Sequence, residues 1–362
     1  MMRYIHEHPH WPSVHWDNEL LVERLAYIRN KQGLLLGRMS SLGFEIKAEA
    51  NLEVLTANII KSSAIEGEQL DAQQIRSSLA KKLGLDTGGL PPSNRHIDGI
   101  VELMLDATQK YNEPLTEDRL FDWHCALFPT LRSGLRFITV GTWRPVEAGA
   151  MQVVSGARGR EKVHYEAPNA SRLPEEMHAF LDWLNHTKNI DPVIRAGVAH
   201  FWFVTIHPFE DGNGRVARAI ADMCLAKADN KPERFYSMSA QIEKERKQYY
   251  IELETAQKGT PDITGWLQWF LDCLGRAIDG ADETLETVLY KANIWNTLSP
   301  HPVNERQRKV INRLLDNFKG KLTCSKYAKL AKCSHDTALR DIKKRMALCS
   351  KKPVGGVVRA IY

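Results

Sequence analysis

Apolar residues recur every three or four positions over long stretches of this 362-residue chain, which is the spacing of one buried helix face. Leu52, Leu55, Ile59 and Ile60 follow this spacing in a segment that ends near Gly67. The same pattern predicts helices over residues 18–36, 246–257 and 266–289. We therefore expect a mainly α-helical fold.

A central segment departs from the helical pattern. In residues 141–156 and 162–168, β-branched and aromatic residues surround Gly-rich turns. This arrangement is typical of a short β-hairpin. The hairpin is expected to stand alone among helices.

The last part of the chain has its own charge and its own pattern. Residues 301–362 contain 16 Lys and Arg against 4 Asp and Glu, while the whole chain carries a net charge of +5. The boundary falls near Ser299-Pro-His-Pro302, because proline interrupts helices. Beyond it the pattern predicts three helices, the third with Ser334 as N-cap, and a small terminal hairpin. These elements cover residues 306–318, 324–331, 334–346 and 353–362.

Length and composition limit the class of protein. A chain of this size is expected to hold two or three domains. Its longest apolar stretch, Val198 to Ile206, is far shorter than the ~20 residues that a membrane-spanning helix needs. No secretory signal is recognised, and the six cysteines show no Cys-x-x-Cys spacing. We expect a cytoplasmic protein with reduced thiols and no membrane contact.

The densest chemical pattern is His-Pro-Phe-Glu-Asp-Gly-Asn-Gly-Arg-Val-Ala-Arg, residues 207–218, between two predicted helices. His207 is a side chain that can accept a proton near neutral pH, and Asp211 can hold a divalent cation. Gly212 and Gly214 would let backbone amides approach phosphate oxygens at the start of the second helix.

Two arginines complete this pattern. Arg215 and Arg218 are three residues apart, so they share one helix face and can reach the same anion. Asp-Gly and Asn-Gly alone would suit an ordinary turn between two helices equally well. The combination of base, carboxylate, glycines and arginines favours a polyphosphate site instead.

Residues 207–218 resemble, at every specified position, the signature of the Fic family, whose members typically transfer AMP from ATP to a protein hydroxyl. The resemblance implies that His207 is the general base, that Asp211 ligates Mg²⁺ or Mn²⁺, and that Phe209 anchors the loop. Relatives that phosphorylate their targets carry lysine at the position of Gly214, so glycine favours nucleotidyl transfer. The implied nucleotide-binding residues of the motif are Gly212, Asn213, Gly214, Arg215, Val216, Ala217 and Arg218.

A second segment, Ser62-Ser-Ala-Ile-Glu66-Gly67, lies well upstream. Taken alone it is weak, because Gly67 can simply end a helix. Beside the Fic signature it resembles the inhibitory helix of some Fic proteins, here about residues 51–67. Glu66 would then pair with Arg218 and occupy the space that the γ-phosphate of ATP needs, with Ser62 on the same helix face.

The resemblance extends to the hairpin and to residues 246–257. A hairpin flap in Fic proteins aligns the backbone of the target by strand addition. Tyr250 and Leu253 would line the adenine pocket, and Gln257 would offer its amide to the base edge. The flap residues expected near the nucleotide are Val153, Val154, Ser155 and Gly156.

The resemblance to the Fic family implies three domains. Residues 1–90 would form a helical N-terminal extension, residues 91–290 the Fic catalytic domain, and residues 300–362 a winged helix-turn-helix. Its third helix would be the recognition helix if the module binds DNA, although such modules also dock proteins. The side chains expected near a nucleic-acid groove are Thr337, Arg340, Lys343 and Lys344.

The resemblance implies a protein adenylyltransferase that uses ATP and Mg²⁺, modifies an unidentified target protein or itself, and forms a homodimer. Two alternatives stay open. One is a DNA-binding transcriptional regulator whose Fic domain senses nucleotide. The other is an enzyme that removes AMP from modified proteins, with Glu66 orienting the attacking water.

Overall fold

The computed structural model describes residues 3–87, 89–156, 160, 162–298, 303–315 and 321–349, with only the backbone described for Asn296 and residues 344–349. In these residues the protein is mainly α-helical, with two short antiparallel hairpins. The predicted fold class is confirmed. The helices are α1 (Asn18–Ser40), α2 (Phe44–Ile65), α3 (Ala72–Lys82), α4 (Arg95–Gln109), α5 (Glu117–Leu127), α6 (Leu173–His186), α7 (Pro192–Ile206), α8 (Asn213–Asp229), α9 (Met238–Lys244), α10 (Arg246–Gln257), α11 (Thr264–Leu298), α12 (Glu305–Leu315), α13 (Cys324–Ala331) and α14 (His335–Cys349).

Helix α1 begins at an aspartate cap and lies along α11. The Asp17 carboxylate accepts hydrogen bonds from the amides of Glu19 and Leu20, which satisfies two free donors of the first turn. Ion pairs then follow the length of α1, from Arg24–Asp272 at 3.1 Å to Arg38–Asp282 at 2.5 Å. These pairs are exposed, so they fix the register of the two helices more than they stabilise the fold.

The centre of the molecule is α7. Every residue from Val193 to Ile206 is buried, so the helix is surrounded by other elements on all sides. It packs most extensively against α8, and the two helices flank the loop of residues 207–212. One continuous apolar cluster runs from Ile5 to Val288, so α1, α2 and the central helices share a core.

Both hairpins precede α7 and the loop in sequence. Strands β1 (Arg132–Ser133) and β2 (Arg136–Phe137) form the first, and β3 (Gln152–Ser155) pairs with β4 (Lys162–Glu166) in the second. The second hairpin is the predicted one, and its register has an irregularity between Val153 and Val154. The first hairpin was not predicted, because its strands have only two residues each.

Helices α12, α13 and α14 correspond to the three helices predicted in the basic module. Val310, Tyr327, Ala331 and Ala338 form its small apolar core, and the Ser334 hydroxyl accepts a hydrogen bond from the amide of Thr337 as an N-cap. Helix α12 is described only to Leu315, and the predicted terminal hairpin lies outside the described residues. The winged helix therefore stays a prediction.

In the described part of the chain, no helix combines the length and the apolar character that a membrane crossing requires.

Candidate active site

The loop between α7 and α8 is held in place by contacts of Phe209 and Asn213. Phe209 is fully buried, and its ring stacks on His124 with ring centroids 4.0 Å apart. The Asn213 side chain accepts a hydrogen bond from the Phe209 amide at 2.9 Å and donates one to its carbonyl at 2.8 Å. Phe209 therefore anchors the loop as expected, and the Asn213 side chain is committed to the same purpose.

Glycine is required at one position of this loop, and a second glycine, in the first turn of α8, leaves room for Glu66. Gly212 has φ 83°, which side-chain-bearing residues rarely adopt, and a Cβ there would lie 2.9 Å from the Phe128 ring. A Cβ at Gly214 would collide with the carboxylate of Glu66. Helix α8 thus begins with a compact, positively polarised end, and Glu66 covers it.

His207 has the position and the neutral tautomer that a general base requires. It ends α7 with φ 53° and ψ 57°, and its Nδ1 lies 3.1 Å from the carbonyl of Val204. A carbonyl can only accept, so Nδ1 carries the proton and Nε2 keeps its lone pair. No described residue is bonded to Nε2. Burial lowers the pKa of His207 to about 4, which keeps the ring neutral near pH 7.

Arg218 is buried and held by the end of α2. Its Nη2 lies 2.7 Å from Glu66 Oε1, and its Nε donates to the Ser62 hydroxyl at 2.9 Å. Burial alone would lower the pKa of Arg218, but the Glu66 carboxylate raises it. The structure thus brings Ser62, Glu66 and Arg218 together as the sequence predicts. Gly67, with φ 85°, turns the chain directly after the helix.

Arg215 has a carboxylate partner that the sequence reasoning missed. Its Nη1 lies 3.0 Å from Glu68 Oε2, and its guanidinium lies over the Phe128 ring at 5.0 Å. The other oxygen of Glu68 lies 2.6 Å from His96 Nε2 on α4. The hydrogen bond with His96 is the largest of the effects that lower the pKa of Glu68.

Asp211 faces hydrogen-bond donors. One oxygen accepts from the Gly212 amide at 2.5 Å, and the other contacts the Ser133 hydroxyl of the first hairpin. The described residues contain no group of three His, Cys, Asp or Glu side chains that could hold a metal ion by themselves.

The remaining predicted residues lie around this loop. Tyr165 of β4 donates to the Thr205 carbonyl at 2.8 Å, which fixes the second hairpin beside the end of α7. Gln257 is buried, and its amide donates to the Thr205 hydroxyl at 3.3 Å. Tyr250 is partly exposed and contacts the carbonyl of Ile65 at 3.4 Å.

Some predicted residues contribute packing. The side chains of Val216, Ala217 and Leu253 are buried in the core, so only backbone atoms of the first two can face a ligand. On the hairpin, Val154 and Ser155 are exposed. Arg340 and Lys343 are exposed on α14, and DNA contact through that module stays a prediction.

Comparison with known proteins gives the class to which this fold and site belong. Residues 114–225 match the family described as Fic/DOC family, and residues 4–85 match a domain of unknown function, DUF4172. The chain therefore carries a Fic/DOC-family domain, which contains His207 and both motif arginines.

Individual relatives are consistent with that class. The chain is 30% identical over 237 residues, 64% of its length, to the protein named protein adenylyltransferase Fic of Culex quinquefasciatus, and 29% identical over 251 residues to the protein of that name in Aedes aegypti. These matches cover 42% and 45% of the two mosquito proteins, so the chain spans less than half of their length. A Fic family protein from Desulfovibrio desulfuricans G20 shares the fold, with a TM-score of 0.55, 22% identity, and coverage of 91% of this chain and 89% of that one.

Proposed function

We propose that this protein is an adenylyltransferase that moves AMP from ATP to a hydroxyl side chain of a protein, and that Glu66 restrains it. The observation that carries the proposal is one loop in which a base with a free Nε2 stands beside a helix start and two largely buried arginines. Nucleotidyl transfer needs these groups, because positioning of the reactants and neutralisation of phosphate charge supply most of its catalysis.

The reaction assigns a step to each group. His207 Nε2 takes the proton from the target hydroxyl, whose oxygen then attacks the α-phosphorus of ATP. The bond from the α-phosphorus to the bridging oxygen breaks, and pyrophosphate leaves with that electron pair. Arg215 and Arg218 neutralise the charge that develops on the leaving phosphates.

The residues at Asp211 fit a magnesium ion that arrives with the nucleotide. Mg²⁺ is commonly held by one or two carboxylates together with substrate phosphates. Asp211 offers one carboxylate at the start of α8, where the phosphates would lie. When bound, the ion would neutralise phosphate charge and support departure of pyrophosphate.

Glu66 restrains this reaction by occupying an arginine that the substrate needs. Its Oε1 contacts Arg218 and lies directly over Gly214. Phosphate oxygens and this carboxylate compete for the same guanidinium, so ATP binds productively only when Glu66 moves away.

The proposal predicts that Glu66→Gly increases AMP transfer by about tenfold or more, because removal of the carboxylate frees Arg218. The measurement is incorporation of label from ATP radiolabelled at the α-phosphate, into the chain itself or into lysate proteins. Label at the γ-phosphate should not be incorporated. Equal labelling by the wild-type protein and Glu66→Gly would contradict restraint by Glu66.

Two variants serve as controls. His207→Ala in the Glu66→Gly background should abolish transfer, because no base remains to take the proton. Glu45→Gly makes the same change at an exposed position near the start of α2 and should leave transfer at the wild-type level. Incorporation that survives His207→Ala would refute the assigned role of His207.

A further inference from the structure

The end of α2 presents two carboxylates to the motif, and each of them contacts a different arginine. Gly67 adopts φ 85°, its amide donates to the Ala64 carbonyl, and the Glu68 amide donates to the Ser63 carbonyl at 3.0 Å. This pair of bonds is a Schellman turn with glycine at its left-handed position. The turn directs Glu66 toward Arg218 and Glu68 toward Arg215.

Glu68 is anchored independently of Glu66. One of its oxygens contacts Arg215 at 3.0 Å, and the other contacts His96 of α4 at 2.6 Å. Removal of Glu66 would leave both contacts in place. Arg215 is itself confined, since its side chain is only 10% exposed and lies against Phe128.

The order of the two arginines along α8 gives each carboxylate a separate effect. In the reaction proposed above, the phosphates lie at the start of α8, where Asp211 would hold them through a magnesium ion, and the two arginines receive the leaving phosphates. Arg215 lies one turn closer to the helix start than Arg218. If Arg218 receives the terminal phosphate of ATP, then Arg215 receives the one before it.

We propose that Glu68 is a specificity-determining residue that occupies the β-phosphate position on Arg215, as Glu66 occupies the γ-phosphate position on Arg218. The inference rests on the proposed function. The site then discriminates nucleotides by their number of phosphates. AMP binds without displacing either carboxylate, ADP must displace Glu68, and ATP must displace both.

Nucleotide affinity tests this without reference to a target protein. AMP, ADP and ATP are titrated by calorimetry into the full chain with Mg²⁺ present, and every variant carries His207→Ala so that nothing is turned over. Glu68→Gln keeps the shape and a hydrogen bond to His96 but removes the charge that pairs Arg215. We expect ADP and ATP to bind about five- to tenfold more tightly to Glu68→Gln, because Arg215 no longer has to release a carboxylate before it binds a phosphate. The affinity for AMP should stay unchanged.

The other variants separate the two carboxylates. Glu66→Gly should tighten ATP alone, and the double variant should show both gains for ATP. Glu102→Gln removes a carboxylate of the Lys82–Glu102 pair elsewhere on α4 and should change none of the three affinities. Retained AMP binding shows that each variant is folded, and Glu68→Ala provides a second test if Glu68→Gln loses AMP binding.

The outcomes distinguish this inference from the function on which it rests. If Glu68→Gln leaves ADP affinity unchanged while Glu66→Gly tightens ATP, the role of Glu68 is refuted and the proposed function stands. If AMP tightens as much as ADP, the substitution opens the site in general and the inference is equally refuted. If no variant binds any nucleotide, the proposed function itself fails.

Discussion

His207 has a backbone conformation that the rest of the loop must impose. Its φ of 53° and ψ of 57° lie in the left-handed region, which costs a residue with a Cβ about 1 to 2 kcal/mol. Arg144 supplies contacts that hold it there. Its Nε donates to the His207 carbonyl at 2.9 Å, and its own amide donates to the Pro208 carbonyl at 2.8 Å. Arg144 is buried, and its contacts fix the position of His207, the proposed base.

We predict that Arg144→Met lowers AMP transfer by about 10- to 100-fold in the Glu66→Gly background, because a small displacement of the base is costly. Burial lowers the pKa of His207 most, and the Arg144 charge lowers it further. Loss of that charge should therefore raise this pKa and shift the acidic limb of kcat/KM for ATP to higher pH. Arg144→Lys keeps the charge, so it should lose rate without shifting the limb.

Arg136→Lys is the control for this prediction. Arg136 is exposed and pairs with Glu210 at 3.2 Å, beside the same loop. Its replacement should preserve both the rate and the pH profile. An Arg144→Met variant with a normal rate would show that the loop holds His207 without this arginine.

At the residue scale, the sequence predicts contacts only where a local motif defines them. His207, Phe209 and Arg218 are recognisable because residues 207–218 are contiguous. Arg144 and Glu68 contact His207 and Arg215, which lie 63 and 147 positions away, and nothing in the neighbouring sequence marks either contact. Such pairs are created by the fold, so they become visible only when the helices are packed.

At the scale of elements, the second hairpin is attached to two helices through its strand β4. Tyr165 of β4 bonds to Thr205 of α7. Ser155 of β3 lies 2.5 Å from His164 Nε2, and His164 Nδ1 lies 2.6 Å from Glu254 of α10. This chain of hydrogen bonds joins β3, β4 and α10, so the hairpin is held against the helix that carries Tyr250 and Gln257.

We predict that His164→Ala loosens this hairpin, since the exposed β3 has few other contacts to the helices. Amide hydrogen exchange in residues 152–155 and 162–166 should become about tenfold faster, while exchange in α7 stays unchanged. Self-labelling in the Glu66→Gly background should also fall, because the resemblance implies that the hairpin aligns the backbone of the target.

Gln152→Ala is the matched control. It removes the Gln152–Glu166 hydrogen bond at 2.8 Å, which lies within the hairpin and does not involve α10. Exchange should rise only next to that pair. If His164→Ala and Gln152→Ala have the same effect, the contact with Glu254 does not stabilise the hairpin.

The elements themselves follow closely from the sequence where apolar spacing and capping agree. Helix α13 spans Cys324–Ala331 as predicted, because Thr323 caps its start and Lys332 adopts a left-handed conformation after its end. Helix α2 begins at Phe44, several residues before the predicted inhibitory segment. The sequence does not reveal this start, because Gly43 at the N-cap has no side chain that could cap the helix. Helix α11 likewise extends from 264 to 298 beyond the predicted bounds.

At the scale of the whole molecule, burial of several histidines links stability to pH. His6, His124 and His200 are buried in different parts of the structure. Burial lowers the pKa of His6 and His124 to about 4 and that of His200 to about 3. These rings are therefore neutral in the folded protein across the range in which an unfolded histidine, with a pKa near 6.5, becomes charged.

The lowered pKa values of these histidines determine how the free energy of unfolding changes with pH. Above about pH 6.5 both states hold these rings neutral, and their contribution to stability is fully present. As pH falls from 6.5 toward 4, the unfolded chain takes up protons that the folded protein does not, so the free energy of unfolding decreases. Each buried ring contributes a slope of up to about 1.4 kcal/mol per pH unit in that window.

We predict that His200→Phe makes this decrease shallower by about the slope of one histidine, whatever it does to stability at pH 7. His200 lies among Tyr249, Trp266 and Phe270, which suits a phenyl ring, although Tyr249 loses its hydrogen bond at 2.9 Å. Urea unfolding at intervals from pH 7.5 to 4.5 measures the slope. His178→Phe, at an exposed position on α6, should leave it unchanged, because that ring meets water in both states. Parallel curves for the wild-type protein and His200→Phe would show that His200 is not kept neutral by folding.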